Sequence, residues 1–190
     1  MSGASENTVV DQEPIKLALA AGPLNAEQRA EAVRMLRHQS TVFAHVSEKY
    51  LQEVAKRMLV VMCPKESALI KQGDTQDRMF VVSQGEVHRI RLEPDGTRHH
   101  MDTYAPVYVR AAPAALGRIK FQRACSYGRQ ETKATFGALH FLKQDPSFAT
   151  AKCVEDARAY MMTTTHFKEM LKDSKFSEEV IYSLSREVRG

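Results

Sequence analysis

The stretch HRIRLEPDGTRHHMDTY, His88 to Tyr104, limits the fold more than any other part of the chain. Asp95-Gly96 supplies the residue pair that a tight hairpin turn demands, because both tolerate the positive φ that twisted strands need between them. The runs on either side read as strands, so at least one antiparallel pair is local. Upstream, VVMCP, SALIKQGD and RMFVVSQGE repeat the pattern, with Gly73-Asp74 and Gly85-Glu86 as further turn signals. Downstream, SFATAKCVE and ARAYMMTT make another pair that turns at Glu155-Asp156. Six to eight short strands at this spacing imply a small barrel or jelly roll.

Helices bracket these strands. Asn25 offers an N-cap before AEQRAEAVRMLRHQ, where Ala26, Ala30, Val33 and Leu36 recur at helical spacing. Ser47 caps SEKYLQEVAKRM, whose apolar stripe is Tyr50, Leu51, Val54 and Met58. THFKEMLKD and FSEEVIYSLSREV predict C-terminal helices over about 165–189, with Thr164 or Thr165 and Ser177 as caps. Residues 1–24 mix small and polar residues with Pro and Gly, the composition of a flexible arm. A length of 190 residues then leaves one domain, 25–190, with a proper core.

Charge is unevenly spread. Between Arg98 and Lys133 seven basic residues face only Asp102 and Glu131, a surplus of five where the whole chain carries +4. Such a segment docks on an acidic protein, a nucleic acid or a membrane surface, or is simply a solvated loop. Cys63, Cys125 and Cys153 are widely spaced and form no C-x-x-C pair, so reduced thiols in a cytosolic setting are expected. No apolar run reaches the length of a membrane span, and MSGASENTVVDQEP lacks the basic and apolar regions of a secretion signal.

LIKQGDTQDRMFVVSQGEV resembles the first half of a cyclic nucleotide-binding domain, in which one Gly-Asp turn precedes a strand ending in a Gly-Glu turn. FGALHFLKQDPSFATAKCVEDARAYMMTTTHFKEML resembles its second half, the phosphate-binding cassette followed by two strands and a helix. The resemblance covers roughly Val42 to Val188. It implies an α+β fold: an eight-stranded antiparallel β-roll, a jelly-roll-like barrel, flanked by N-terminal and C-terminal helices. In the family the cassette runs F-G-E-L-A-L-L, a short gap, then P-R-x-A-T. Its glutamate accepts the ribose 2′-hydroxyl, its arginine grips the cyclic phosphate, and the last helix closes over the base.

Phe136, Gly137, Leu139, Leu142, Pro146, Ala149 and Thr150 stand where the family places them. Ala138 occupies the glutamate position and Ser147 the arginine position, while His140 replaces a small residue between them. An arginine fork offers paired charge-assisted donors that one serine hydroxyl does not imitate. Hydrogen bonds to charged groups contribute roughly 1.5–3 kcal/mol each, so losing these contacts weakens nucleotide binding about 10²- to 10⁴-fold. Backbone N–H groups near Gly137 and Leu139 remain as anion donors. Lys143 and His140 are the residues able to reach inward as substitutes; Lys152 falls where ligand-binding relatives carry an outward lysine.

The segment at about 104–133 is much longer than the family's usual connection and holds an Ala/Pro run together with most of the basic excess. Tyr108, Arg110, Arg118, Lys120 and Arg123 are its candidate partner contacts. His99-His100 has no third ligand at metal-binding spacing and reads as exposed strand histidines. Met58, Met62, Met161 and Met162 read as core fillers. No Ser/His/Asp or Cys/His arrangement, phosphate-binding Walker loop or paired-carboxylate motif is present, and no helix-turn-helix follows the final helix.

The expected function is therefore a non-catalytic domain without a cofactor, a structural or interaction subunit of a larger cytoskeletal, ciliary or organellar assembly in the cytoplasm. Its partners would be other protein subunits, met through the arm and the basic insertion. The alternative is a sensor of cAMP, cGMP or another anion that regulates a partner protein. Nucleic-acid docking through the insertion is the weakest of the three.

Overall fold

The computed structural model of the chain describes residues 19–40, 42–106, 135–136 and 145–187. Nine strands and four helices lie among them. The strands are β1 (Leu19–Pro23), β2 (Leu59–Cys63), β3 (Ala68–Ile70), β4 (Arg78–Gln84), β5 (Val87–Leu92), β6 (Arg98–Tyr104), β7 (Thr135–Phe136), β8 (Thr150–Cys153) and β9 (Ala157–Thr163). The helices are α1 (Ala26–Gln39), α2 (Glu48–Lys56), α3 (Thr164–Met170) and α4 (Ser174–Glu187). The fold is α+β, as expected, but the strands form two antiparallel sheets, in the orders β1-β2-β9-β4-β7 and β3-β8-β5-β6. No sheet among the described residues closes into the eight-stranded barrel that the resemblance implied.

Strand alternation sorts the side chains of the larger sheet into two cores. On β4 (RMFVVSQ), Met79 and Val81 face the helices, whereas Phe80 and Val82 face the smaller sheet. On β9, Tyr160 and Met162 join the helical core, and Ala159 and Met161 the inter-sheet core. These strands are buried on both faces, which is why their sequences run almost continuously apolar and lose the polar alternation of a half-exposed strand. The helical core includes Leu36, Phe43, Leu51, Val54, Phe167 and Phe176, all nearly inaccessible. Each such side chain contributes about 1.5–3 kcal/mol of burial.

The helices start where chemistry allows. Asn25 caps α1, accepting from the Gln28 N–H while the Gln28 side chain accepts from the Asn25 N–H, both at 2.9 Å. Thr163, rather than Thr164 or Thr165, caps α3. Ser177 lies inside α4; the carboxylate of Asp173 accepts from the N–H groups of Lys175 and Phe176 and does the capping. At the other end of the chain, the expected arm gives up residues 19–23 to β1, which pairs along β2, and Leu24 is buried. Met62 is half exposed and so departs from its reading as a core filler; Met58, Met161 and Met162 are buried.

Gly85 is the turn glycine that nothing else replaces. Its φ is +79°, and a Cβ there would lie 2.6 Å from the Asp156 carbonyl oxygen and 2.8 Å from the Ala157 Cα. Two of the turns read from the sequence, after β4 and between β8 and β9, therefore pack backbone to backbone. Among the described residues no helix is long and apolar enough to cross a membrane.

Candidate functional site

The described part of the cassette is Phe136, which pairs with Phe80 where β7 meets β4, and a short limb, Asp145–Ala149, that leads into β8. The limb's geometry is set by the turn after β3. The N–H of Gly73 donates to the Ser147 carbonyl at 2.7 Å, and the N–H of Ser147 donates to the Asp74 carbonyl at 2.8 Å. The Gln76 N–H reaches Asp145 O at 3.3 Å, and Thr75 bridges Pro146. One residue further, Thr150 Oγ1 accepts from the Gln72 N–H at 3.0 Å. The Gly73-Asp74 turn, with φ +88° at the glycine, thus serves as a backboard for the cassette limb.

Within that frame Ser147 turns inward. It is 7% exposed, and its hydroxyl donates to the Ala149 carbonyl at 2.7 Å. Ala149 is fully buried beneath it. A buried hydroxyl already bound to a backbone carbonyl has no donor left for a phosphate. Gly137, Ala138 and Leu139 lie outside the described residues, as do His140 and Lys143. The candidate partner contacts Tyr108, Arg110, Arg118, Lys120 and Arg123 also lie outside them.

Other expectations can be placed. Lys152 pairs with Glu66, away from the inter-sheet core, in keeping with an outward lysine. His99 and His100 are exposed on β6, and the His100 ring packs edge-on against His88 with 4.6 Å between centroids. Among the described residues no group of three or more His, Cys, Asp or Glu could hold a metal. Cys63 and Cys153 are buried and free, and they face each other between the two sheets. The hydrogen bond with Cys153, followed by burial, pushes the Cys63 thiol far up.

The described part of α4 docks on the N-terminal helical layer. Phe176 packs on Tyr50 with 5.3 Å between ring centroids, and Val180 enters the same core. Glu179 accepts from the Ser47 N–H at 2.7 Å, and Ser183 Oγ from the His45 N–H at 3.1 Å. Ile181 and Tyr182 point outward, 62% and 52% exposed.

The residue that sequence reasoning missed is Arg89. It stands opposite Ala151 on β8 and Asp102 on β6, on the strand face that carries the buried Val87. Its guanidinium carbon lies 4.3 Å from the centre of the Phe148 ring, immediately beside Ser147. Its Nη1 donates to the Tyr104 hydroxyl at 3.1 Å and reaches Asp102 at 3.4 Å. The signal was available: in VHRIRL, alternation from the apolar Val87 places Arg89 on the same side.

No protein-family model matches the chain, and no curated protein matches its sequence. Solved structures do match. A cyclic nucleotide-binding domain from Methylobacillus flagellatus superposes with a TM-score of 0.60 at 13% identity, over 90% of this chain and 82% of that one. The regulatory domain of Toxoplasma gondii protein kinase A with cAMP gives 0.59 at 22% identity, over 80% of this chain and 47% of that one. The regulatory subunit of a cAMP-independent protein kinase A from Trypanosoma brucei gives 0.57 at 13%, over 86% and 48%. A triple variant of that subunit, with glutamate to alanine, threonine to arginine and valine to alanine, is bound to cAMP in its A site. This chain spans about half the length of these two kinase subunits. Its fold is that of cyclic nucleotide-binding domains.

Proposed function

We propose that this chain is a non-catalytic domain that does not hold cAMP or cGMP through its cassette and acts in the cytoplasm as an interaction subunit of a larger protein assembly. The observation that carries this reading is the Ser147 hydroxyl, buried and spent on the Ala149 carbonyl where the family has a phosphate-gripping arginine. Ala138 at the ribose-glutamate position supports it from the sequence. So does the Trypanosoma brucei subunit, which has this fold and is described as cAMP-independent; the variant of it that carries cAMP includes a change to arginine. The arm before β1 and the basic insertion after β6 are the surfaces we assign to partner proteins, because both are additional to the nucleotide-binding fold and carry opposite charge.

The test is calorimetric titration of the purified full chain with cAMP and with cGMP up to millimolar concentration. No saturable heat is expected in the micromolar range. Saturable micromolar binding of either nucleotide would sink the proposal. The double variant Ala138→Glu/Ser147→Arg is expected to gain cAMP affinity about 10²- to 10⁴-fold, the amount its two restored contacts supply.

A further inference from the structure

Arg89 is a permanent charge in a place that does not fully compensate it. Its side chain is 16% exposed, and its carboxylate partner Asp102 lies at 3.4 Å, well beyond the 2.7–2.9 Å or so of a strong charge-assisted hydrogen bond. Asp102 is also turned half into water and accepts from the Tyr104 hydroxyl at 3.3 Å. A guanidinium cannot shed its proton, so a mostly buried one with a weak partner gains from a second anion.

Geometry says where that anion would sit. The Phe148 ring covers the guanidinium face and fixes its plane. Every side-chain hydrogen bond that Arg89 makes among the described residues uses Nη1. The Nε–Nη2 edge, the paired-donor edge that fits two oxygens of one phosphate, takes no part in them. Phe148 follows Ser147 directly, so β5 delivers a cation to the very limb of the cassette that has lost its own.

We propose that Arg89 anchors a small molecule bearing a phosphate monoester, held beside the cassette and not by it. A dianionic monoester is favoured over a monoanion because a ligand on the guanidinium edge lies nearer Arg89 than the half-exposed Asp102, and the net attraction grows with the ligand's charge. This goes beyond the reading above, which concerns cyclic nucleotides at the cassette positions.

The probes are inorganic phosphate, 5′-AMP, cAMP and acetate, each followed by thermal shift of the full chain at pH 8 against sodium chloride at matched ionic strength. Phosphate and 5′-AMP are expected to raise Tm saturably, and acetate and cAMP much less. Arg89→Gln should weaken phosphate binding about 10-fold or more, by loss of paired charged donors. Arg89→Lys, which keeps charge without the fork, should weaken it less. Asp102→Asn should strengthen it, whereas a merely structural Arg89–Asp102 pair would give no such gain.

No phosphate response in the wild type, or an unchanged one in Arg89→Gln, overturns the proposal. Equal responses to acetate and phosphate overturn the ligand class. Should Arg89→Gln fail to fold, unchanged affinity in both Arg89→Lys and Asp102→Asn is the overturning result. Micromolar cAMP binding that survives Arg89→Gln would sink the function proposed above and leave this inference to its phosphate data.

Discussion

Ser147 and Ala149 are locked together two residues apart, the buried hydroxyl of one donating to the carbonyl of the other at 2.7 Å. The hydroxyl thus satisfies a backbone acceptor within a buried stretch of chain. Ser147→Ala strands that acceptor and is expected to cost about 1–3 kcal/mol in urea denaturation. A variant as stable as the wild type would show that the carbonyl has another partner.

Gly85→Ala is expected to be the most damaging of the turn-glycine changes. The positive φ alone costs about 1–3 kcal/mol, and the new methyl meets backbone of Asp156 and Ala157 that no side-chain rotation relieves. Gly73→Ala and Gly96→Ala have similar φ, +88° and +84°, but nothing within 4 Å of the added carbon. They should lose only the conformational part. Equal losses for all three in parallel denaturation curves would show that the contact with Asp156 is relieved by a small shift.

Asp173 gives the acid limb of stability a defined contributor. The Tyr50 hydroxyl donates to it at 2.8 Å, and this bond, followed by the Phe176 N–H, holds its carboxyl below the ordinary value of 3.8. A carboxylate favoured by folding stabilises above its unfolded pKa and loses that contribution as pH falls through the lower folded value. Asp173→Asn keeps an N-cap oxygen but cannot ionise. Urea midpoints should therefore fall less between pH 6 and pH 2.5 in the variant than in the wild type. The same fall in both would remove Asp173 from the acid response.

How far the sequence could be read follows from the range of the interactions involved. Helix α1 was legible to its first residue because the Asn25 cap is a local signal, but its buried face is Ala32, Val33, Met35 and Leu36, while Ala26 and Ala30 of the expected stripe are exposed. The turns at Gly73, Gly85 and Gly96 were legible for the same reason. β1 was not: LAAGP has no alternation, and its strand character comes from pairing with β2 some forty residues away. The α4 cap was misplaced because Ser177 and Asp173 are both competent, and the Tyr50 hydroxyl that fixes Asp173 lies on another helix. At the candidate site Ala138 and Ser147 were singled out by resemblance alone. Alternation from Val87 gives the side of β5 on which Arg89 lies, but not its place against Phe148, which appears only when β5 and β8 are side by side.

The pairing of Cys63 with Cys153 is a further relation between distant segments, and it predicts reactivity. Cys63 ends β2 in one sheet, Cys153 ends β8 in the other, and both are at most 1% exposed. The hydrogen bond with the neighbouring Cys153 thiol, and then burial, push Cys63 up, away from the reactive thiolate. With the native protein at pH 7.5, iodoacetamide is expected to leave both residues unmodified over hours, as read by peptide mass mapping. Both should label within minutes in urea, because unfolding removes the cover and returns each thiol to an ordinary pKa near 8.5. Native labelling of Cys63 at the rate seen in urea would mean that the two sheets separate readily, and that the core between them is not the rigid support on which Arg89 and the cassette limb stand.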